Sequence, residues 1–147
     1  MTKTLITGAN KGLGYEAAKR LVAEGHEVWV GARDAKLGKG AAQTLNARFV
    51  QLDVTDDASV EAAAALVAKT GGLDVLVNNA GISDRTPVAD TAASDVLRVL
   101  DTNVLGPVRV VRAFTPVLEA SMSPVVVNVS SGVGSLTLCQ RSQRPVF

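Results

Sequence analysis

Five short apolar runs, separated by stretches with helical spacing, restrict what this chain can fold into. The runs are KTLIT at 3–7, EVWVGA at 27–32, RFVQL at 48–52, LDVLVN at 73–78 and PVVVNV at 124–129. They are continuous rather than alternating, the mark of parallel strands covered on both faces. Between them, residues 12–24 place Leu13, Ala17, Leu21 and Val22 on one helical face, and Gly25 stops the helix. Asp34 can cap a helix to Leu45, and Asp56 or Asp57 one to Lys69. A longer helical region at 94–120 has apolar spacing through Val96, Leu100, Val104, Val108 and Val111, with Pro107 as a kink or a restart. Right-handed crossovers then give a doubly wound, three-layer α/β sheet with strand order 3-2-1-4-5.

Composition excludes several alternatives. With 147 residues, 47% hydrophobic and 20% charged, the chain can bury a core and is not disordered. A net charge of +1 offers no basic surplus for nucleic acid. No apolar run approaches the roughly 18 residues of a membrane span. The single cysteine, Cys139, predicts a reducing, cytoplasmic setting and no thiol chemistry. His26, in a helix–strand turn, reads as a solvated surface residue. Residues 1–135 read as one domain and 136–147 as an irregular tail without period.

The first strand–helix junction reads Thr7-Gly8-Ala9-Asn10-Lys11-Gly12-Leu13-Gly14. Gly8 permits a tight turn, Gly12 a close approach of backbone to a pyrophosphate, and Gly14 close packing of helix on sheet. The helix N-terminus adds unpaired N–H groups and a positive dipole end. A plain tight turn is the alternative; following a strand and opening a helix is the context that phosphate binding requires. At the end of the second run, Ala32 stands where an acid would hold a ribose 2′-hydroxyl, and Arg33 follows. With Lys11 in the glycine loop, that favours a 2′-phosphate, hence NADP over NAD. The alternative makes both cations solvated and Asp34 the ribose ligand.

On these residues the chain resembles the short-chain dehydrogenase/reductase family, its carbonyl-reductase-type members in particular. Thr7-Gly8-x-x-x-Gly12-x-Gly14, Asp53-Val54, Asn78-Asn79-Ala80-Gly81, Asn103 and Asn128-Val129-Ser130-Ser131 carry the likeness in order. The resemblance implies a cofactor site of Gly8, Asn10, Lys11, Gly12, Leu13, Gly14, Arg33, Asp53, Val54, Asn79, Ala80 and Gly81. Asp53 would accept from the adenine amino group with the Val54 backbone beside it, unless it is only a turn aspartate. Asn79, Ala80 and Gly81 would border the ribose, unless they merely end a strand, and Asn78 would tie the centre of the sheet. It implies two catalytic residues: Asn103, holding a water in a proton relay, and Ser131, bonding the substrate carbonyl. Ser131 is preferred to Ser130 because it lies three residues after Asn128; either could be a loop cap.

The family's chemistry also implies a tyrosine with a lysine four residues on, since an unaided phenol near pKa 10 is a poor acid–base group at neutral pH. Here the only tyrosine is Tyr15, and no lysine follows Lys69. A shortened or frame-shifted member is therefore expected, with strand five left as an exposed apolar edge prone to self-association. The functions in play are an NADPH-dependent carbonyl or alcohol oxidoreductase, a non-catalytic NADP-binding module, and a regulatory protein on the same fold. A small-molecule substrate and a homo-oligomeric parent go with the first.

Overall fold

The computed structural model describes residues 1–84, 86–132, 135 and 137. Five strands, β1 (Lys3–Thr7), β2 (Glu27–Ala32), β3 (Arg48–Gln51), β4 (Val75–Asn78) and β5 (Val125–Asn128), form one sheet. Its order is β3-β2-β1-β4-β5 and every pairing is parallel, as the continuous apolar runs predict. Register sets Ile6 beside Val30 and Val77.

Successive side chains of a strand point to opposite faces, and both faces are covered. On one, Ile6, Val28 and Val30 pack under α1 (Gly12–Ala23) and α2 (Ala35–Leu45). On the other, Leu5, Trp29, Val50 and Leu76 pack under α3 (Asp57–Lys69) and α5 (Gly106–Glu119), whose Phe114 is wholly buried. Asp34 caps α2 by accepting from the Leu37 N–H at 2.9 Å, and Asp56 caps α3 by accepting from that of Ala58 at 3.0 Å.

The long helical region holds as α4 (Ala93–Leu100) running through a π turn at Asp101–Leu105 into α5, where Pro107 stands in the first turn, the restart offered above. Val96, Leu100, Val104 and Val108 are exposed while Val110, Phe114, Val117 and Leu118 are buried. Two expectations need correction. In α1, Leu13 is 79% exposed, and Gly14 and Ala18 make the buried contacts. Nor is His26 merely solvated: it is half-buried and its Nδ1 lies 2.9 Å from Oγ1 of the buried Thr4. The expected tail, with Cys139, lies outside the described residues except for Thr137. Val125, Val126 and Val127 of β5 are 42–45% exposed, the exposed apolar edge expected of strand five.

The lower end of the sheet is fastened by Asp74. Its carboxylate accepts from the Ser121 hydroxyl at 2.6 Å and from the Lys3 N–H at 2.8 Å. The Ser121 bond, then the Lys3 N–H, then the charges of Lys3 and the chain's amino terminus hold its carboxyl below the ordinary aspartate value, against the opposing pull of partial burial. A lowered folded-state pKa adds stability above the unfolded value, near 3.9, that is lost as pH falls through the folded value. Asp74→Asn is expected to lower the urea midpoint at pH 7 and to converge on the parent below pH 3. A difference that stays constant from pH 7 to pH 2 would show that the charge of Asp74 is not what matters.

Candidate active site

Loops at the C-terminal ends of β1, β2, β3 and β4 surround a cleft of about 810 Å³. It lies where the strand order reverses, with β1 between β2 and β4, the usual ligand position in such a sheet. Every residue expected at the cofactor lines it: Gly8, Asn10, Lys11, Gly12, Leu13 and Gly14 from the first loop, Arg33 after β2, Asp53 and Val54 after β3, and Asn79, Ala80 and Gly81 after β4.

The glycine loop is tight for reasons the contacts make plain. Gly8 has φ +66°, and a Cβ there would sit 2.9 Å from the Ala80 Cα. A Cβ on Gly14 would sit 2.3 Å from Asn79 Nδ2 and 3.0 Å from the Gly8 carbonyl. Thr7, buried beneath, clamps the two loops together. Its hydroxyl oxygen accepts from the N–H groups of Asn79, at 3.0 Å, and Ala80, at 2.9 Å. Asn79 Nδ2 returns a bond to the Thr7 carbonyl at 2.9 Å. Asn78 is fixed from the other side, donating from Nδ2 to Asn128 Oδ1 on β5 at 2.8 Å.

Above this clamp α1 begins. Asp34 and Asp56 cap α2 and α3, and Asp95 Oδ2 accepts from the Ala92 N–H at the start of α4 at 3.1 Å. At α1 the cap position is Lys11, with no capping side-chain bond and no acid in the first turn. The first-turn N–H groups and the dipole thus meet the cleft uncompensated, which fits a phosphate. The glycine cradle and this helix end suit a dinucleotide's pyrophosphate.

At the β2 end, Ala32 is 1% exposed and offers no polar group. Arg33 lines the cleft and is 79% exposed in its side chain; its Nε lies 4.0 Å from Asp53 Oδ2. An exposed pair at that distance contributes little, so Arg33 can turn to a ligand. Asp34 caps α2 and is not among the lining residues. Asp53 does form a turn, its Oδ1 accepting from Thr55 N–H at 3.0 Å and Thr55 Oγ1 at 2.7 Å, while it also faces the cleft.

The two expected catalytic residues are placed differently. Asn103 sits in the π turn and is not among the lining residues: Oδ1 accepts from the Ile82 N–H at 2.9 Å and Nδ2 donates to the Ile82 carbonyl at 2.8 Å. Ser131 is exposed, three residues beyond β5, and does not line the cleft. The structure does not bring the two together around that cavity. Thr55, Ile82, Arg98, Asp101 and Thr102 line the cleft without having been foreseen. Arg98 pairs with Asp84 at 2.6 Å and so fastens the loop after β4 to α4.

Comparison with known proteins decides the family. Residues 2–143 match the family described as short chain dehydrogenase. The chain belongs to the short-chain dehydrogenases. It is 36% identical to (-)-isopiperitenone reductase of Mentha piperita, across 91% of this chain and 58% of that protein. It is 38% identical to an NADPH-dependent pterin aldehyde reductase of Arabidopsis thaliana, across 88% of this chain and 56% of that protein. Among solved structures, menthone neomenthol reductase from Mentha piperita superposes with a TM-score of 0.83 at 31% identity, over 93% of this chain and 62% of that one. A structure described as ribose-5-phosphate isomerase from Brucella melitensis gives 0.82 at 32% identity, over 88% and 51%. Likeness of fold does not by itself choose a reaction. The chain spans about half the length of the curated relatives it matches, which are named as reductases and dehydrogenases.

Proposed function

We propose that these residues form the NADP-binding half of an NADPH-dependent reductase acting on a small carbonyl compound or the corresponding alcohol. The observation that carries this is the α1 N-terminus, left without a side-chain cap beneath a glycine loop that tolerates no Cβ at Gly8 or Gly14. When bound, NADPH supplies a hydride to the carbonyl carbon, leaving the oxygen to take a proton.

The chain's own residues bind and orient. The N–H groups of Gly12, Leu13 and Gly14 face the pyrophosphate, with Asn10 at the turn. Exposed Leu13 gives an apolar contact at the cleft mouth. Lys11 and Arg33 take the 2′-phosphate, Asp53 and the Val54 backbone the adenine, and Asn79, Ala80 and Gly81 the ribose. Asn103 holds the Ile82 loop by its amide. In that place it would hold a water for a proton relay. Ser131 would bond the substrate oxygen. A phenol–lysine pair is not within these residues: Tyr15 lies in α1, and Lys69 is the last lysine. These 147 residues alone therefore bind cofactor without turnover, and the β5 edge promotes their self-association. The lone cysteine supports a cytoplasmic setting.

Calorimetric titration tests this reading. NADPH is expected to bind more tightly than NADH, and Arg33→Asp to weaken NADPH by about tenfold or more while sparing NADH. Equal losses for both cofactors would sink the assignment of Arg33, and no binding of either would sink the reading itself.

A further inference from the structure

Arg109 lies on α5, outside the cleft, with its side chain 20% exposed. Its guanidinium reaches three separate segments at once. Nη1 donates to the Val54 carbonyl and to the Asp101 carbonyl, each at 3.3 Å. Nη2 meets Asp101 Oδ1 at 2.7 Å, and Nε lies 3.6 Å from Asp57 Oδ1 at the start of α3. One turn earlier on α5, a Cβ on Gly106 would sit 2.9 Å from Val54 Cγ2. The loop after β3 is thus pressed against helix backbone and fastened by a planar fork. A lysine, with a single nitrogen, cannot match that fork.

We propose that Arg109 is a positioning residue for the base-binding end of the cleft: it fixes the Asp53–Val54 loop so that the loop discriminates between nucleobases. This rests on the cofactor reading above, in which Asp53 accepts from the adenine amino group and the Val54 backbone lies beside it. Without the Val54 carbonyl bond, the loop keeps its Asx turn, since Asp53 Oδ1 accepts locally from Thr55. What it loses is its anchor to α5 and the π turn. Base selectivity, rather than overall stability, is the quantity that should move.

The experiment compares NADPH with its hypoxanthine analogue, which carries a carbonyl where adenine carries the amino group. Both are titrated into the full chain, into Arg109→Met and Arg109→Lys, and into Arg112→Met. Arg112 is on the same helix, 71% exposed, and pairs only weakly with Asp57 and Glu61 at 3.9 and 3.7 Å. The unaltered chain is expected to prefer NADPH by about tenfold, from one reversed charge-assisted hydrogen bond. Arg109→Met and Arg109→Lys are expected to bring the preference within about twofold while circular dichroism reports a folded protein, and Arg112→Met to keep it. A merely structural arginine would weaken both ligands equally and leave their ratio intact, and that result overturns the proposal. So does an unaltered chain that binds NADPH without base preference, although the cofactor reading then stands. Failure to bind either nucleotide removes the cofactor reading and the proposal with it. Should Arg109→Met not fold, Asp101→Asn, which weakens the grip on the same guanidinium, is judged by the same ratio.

Discussion

Phe114→Ala is expected to destabilise the protein by about 3–5 kcal/mol, enough to leave much of it unfolded at room temperature. Phe114 is wholly buried on α5, in the cluster that includes Leu5, Trp29, Val50, Val60 and Leu76. It is the largest of the fully buried side chains. The cluster joins three parts of the fold: four strands of the sheet, α3 and α5. Truncation to alanine removes the ring's burial and leaves a cavity that the flat sheet surface cannot close by collapse. Chemical denaturation monitored by circular dichroism measures the loss. A shift below about 1 kcal/mol would mean that α5 repacks freely on the sheet.

The second large effect is expected at Thr7. Thr7→Val nearly preserves shape and removes one oxygen, which accepts from two backbone N–H groups, those of Asn79 and Ala80. Thr7 is 1% exposed, so water cannot readily substitute. Each stranded donor costs about 1–3 kcal/mol, giving roughly 2–6 kcal/mol in all. The change also releases the loop after β4 from the glycine loop, so NADPH affinity should fall by at least about tenfold even where the variant remains folded. Thr7→Ser keeps the acceptor and should retain most of both properties. If serine and valine behave alike, the hydroxyl is not the fastener.

How much of this could be read from residues alone depended on distance along the chain. Strands were legible because each is a short apolar run between turn residues, and the glycine loop because its spacing is local. The caps Asp34 and Asp56 were legible for the same reason, each bonding within three residues of itself. Thr7 appeared in the motif, but its role as a clamp did not, since its partners lie 72 and 73 residues away. Arg109 was invisible for the same reason: Val54 is 55 residues off. On α4 and α5 the apolar stripe was visible, but which residues of the region are covered was not. Periodicity identifies a face without saying what covers it, and the π turn at Asp101–Leu105 rotates one half against the other. Asn103 was found by its place in the family pattern; that its amide would fasten Ile82 required the folded loop.

The strand order has a consequence for how the chain is made. β1 is synthesised before the other four strands and becomes the middle of the sheet, between β2 and β4. β2 reaches it soon, but β4 begins only at Val75. At about 5–20 residues per second, β1 waits on the order of 4–15 s with one edge unpaired. During that interval, Leu5 and Ile6 lack part of their eventual cover. A nascent chain stalled just before β4 should therefore recruit holdase chaperones more strongly than one stalled after it.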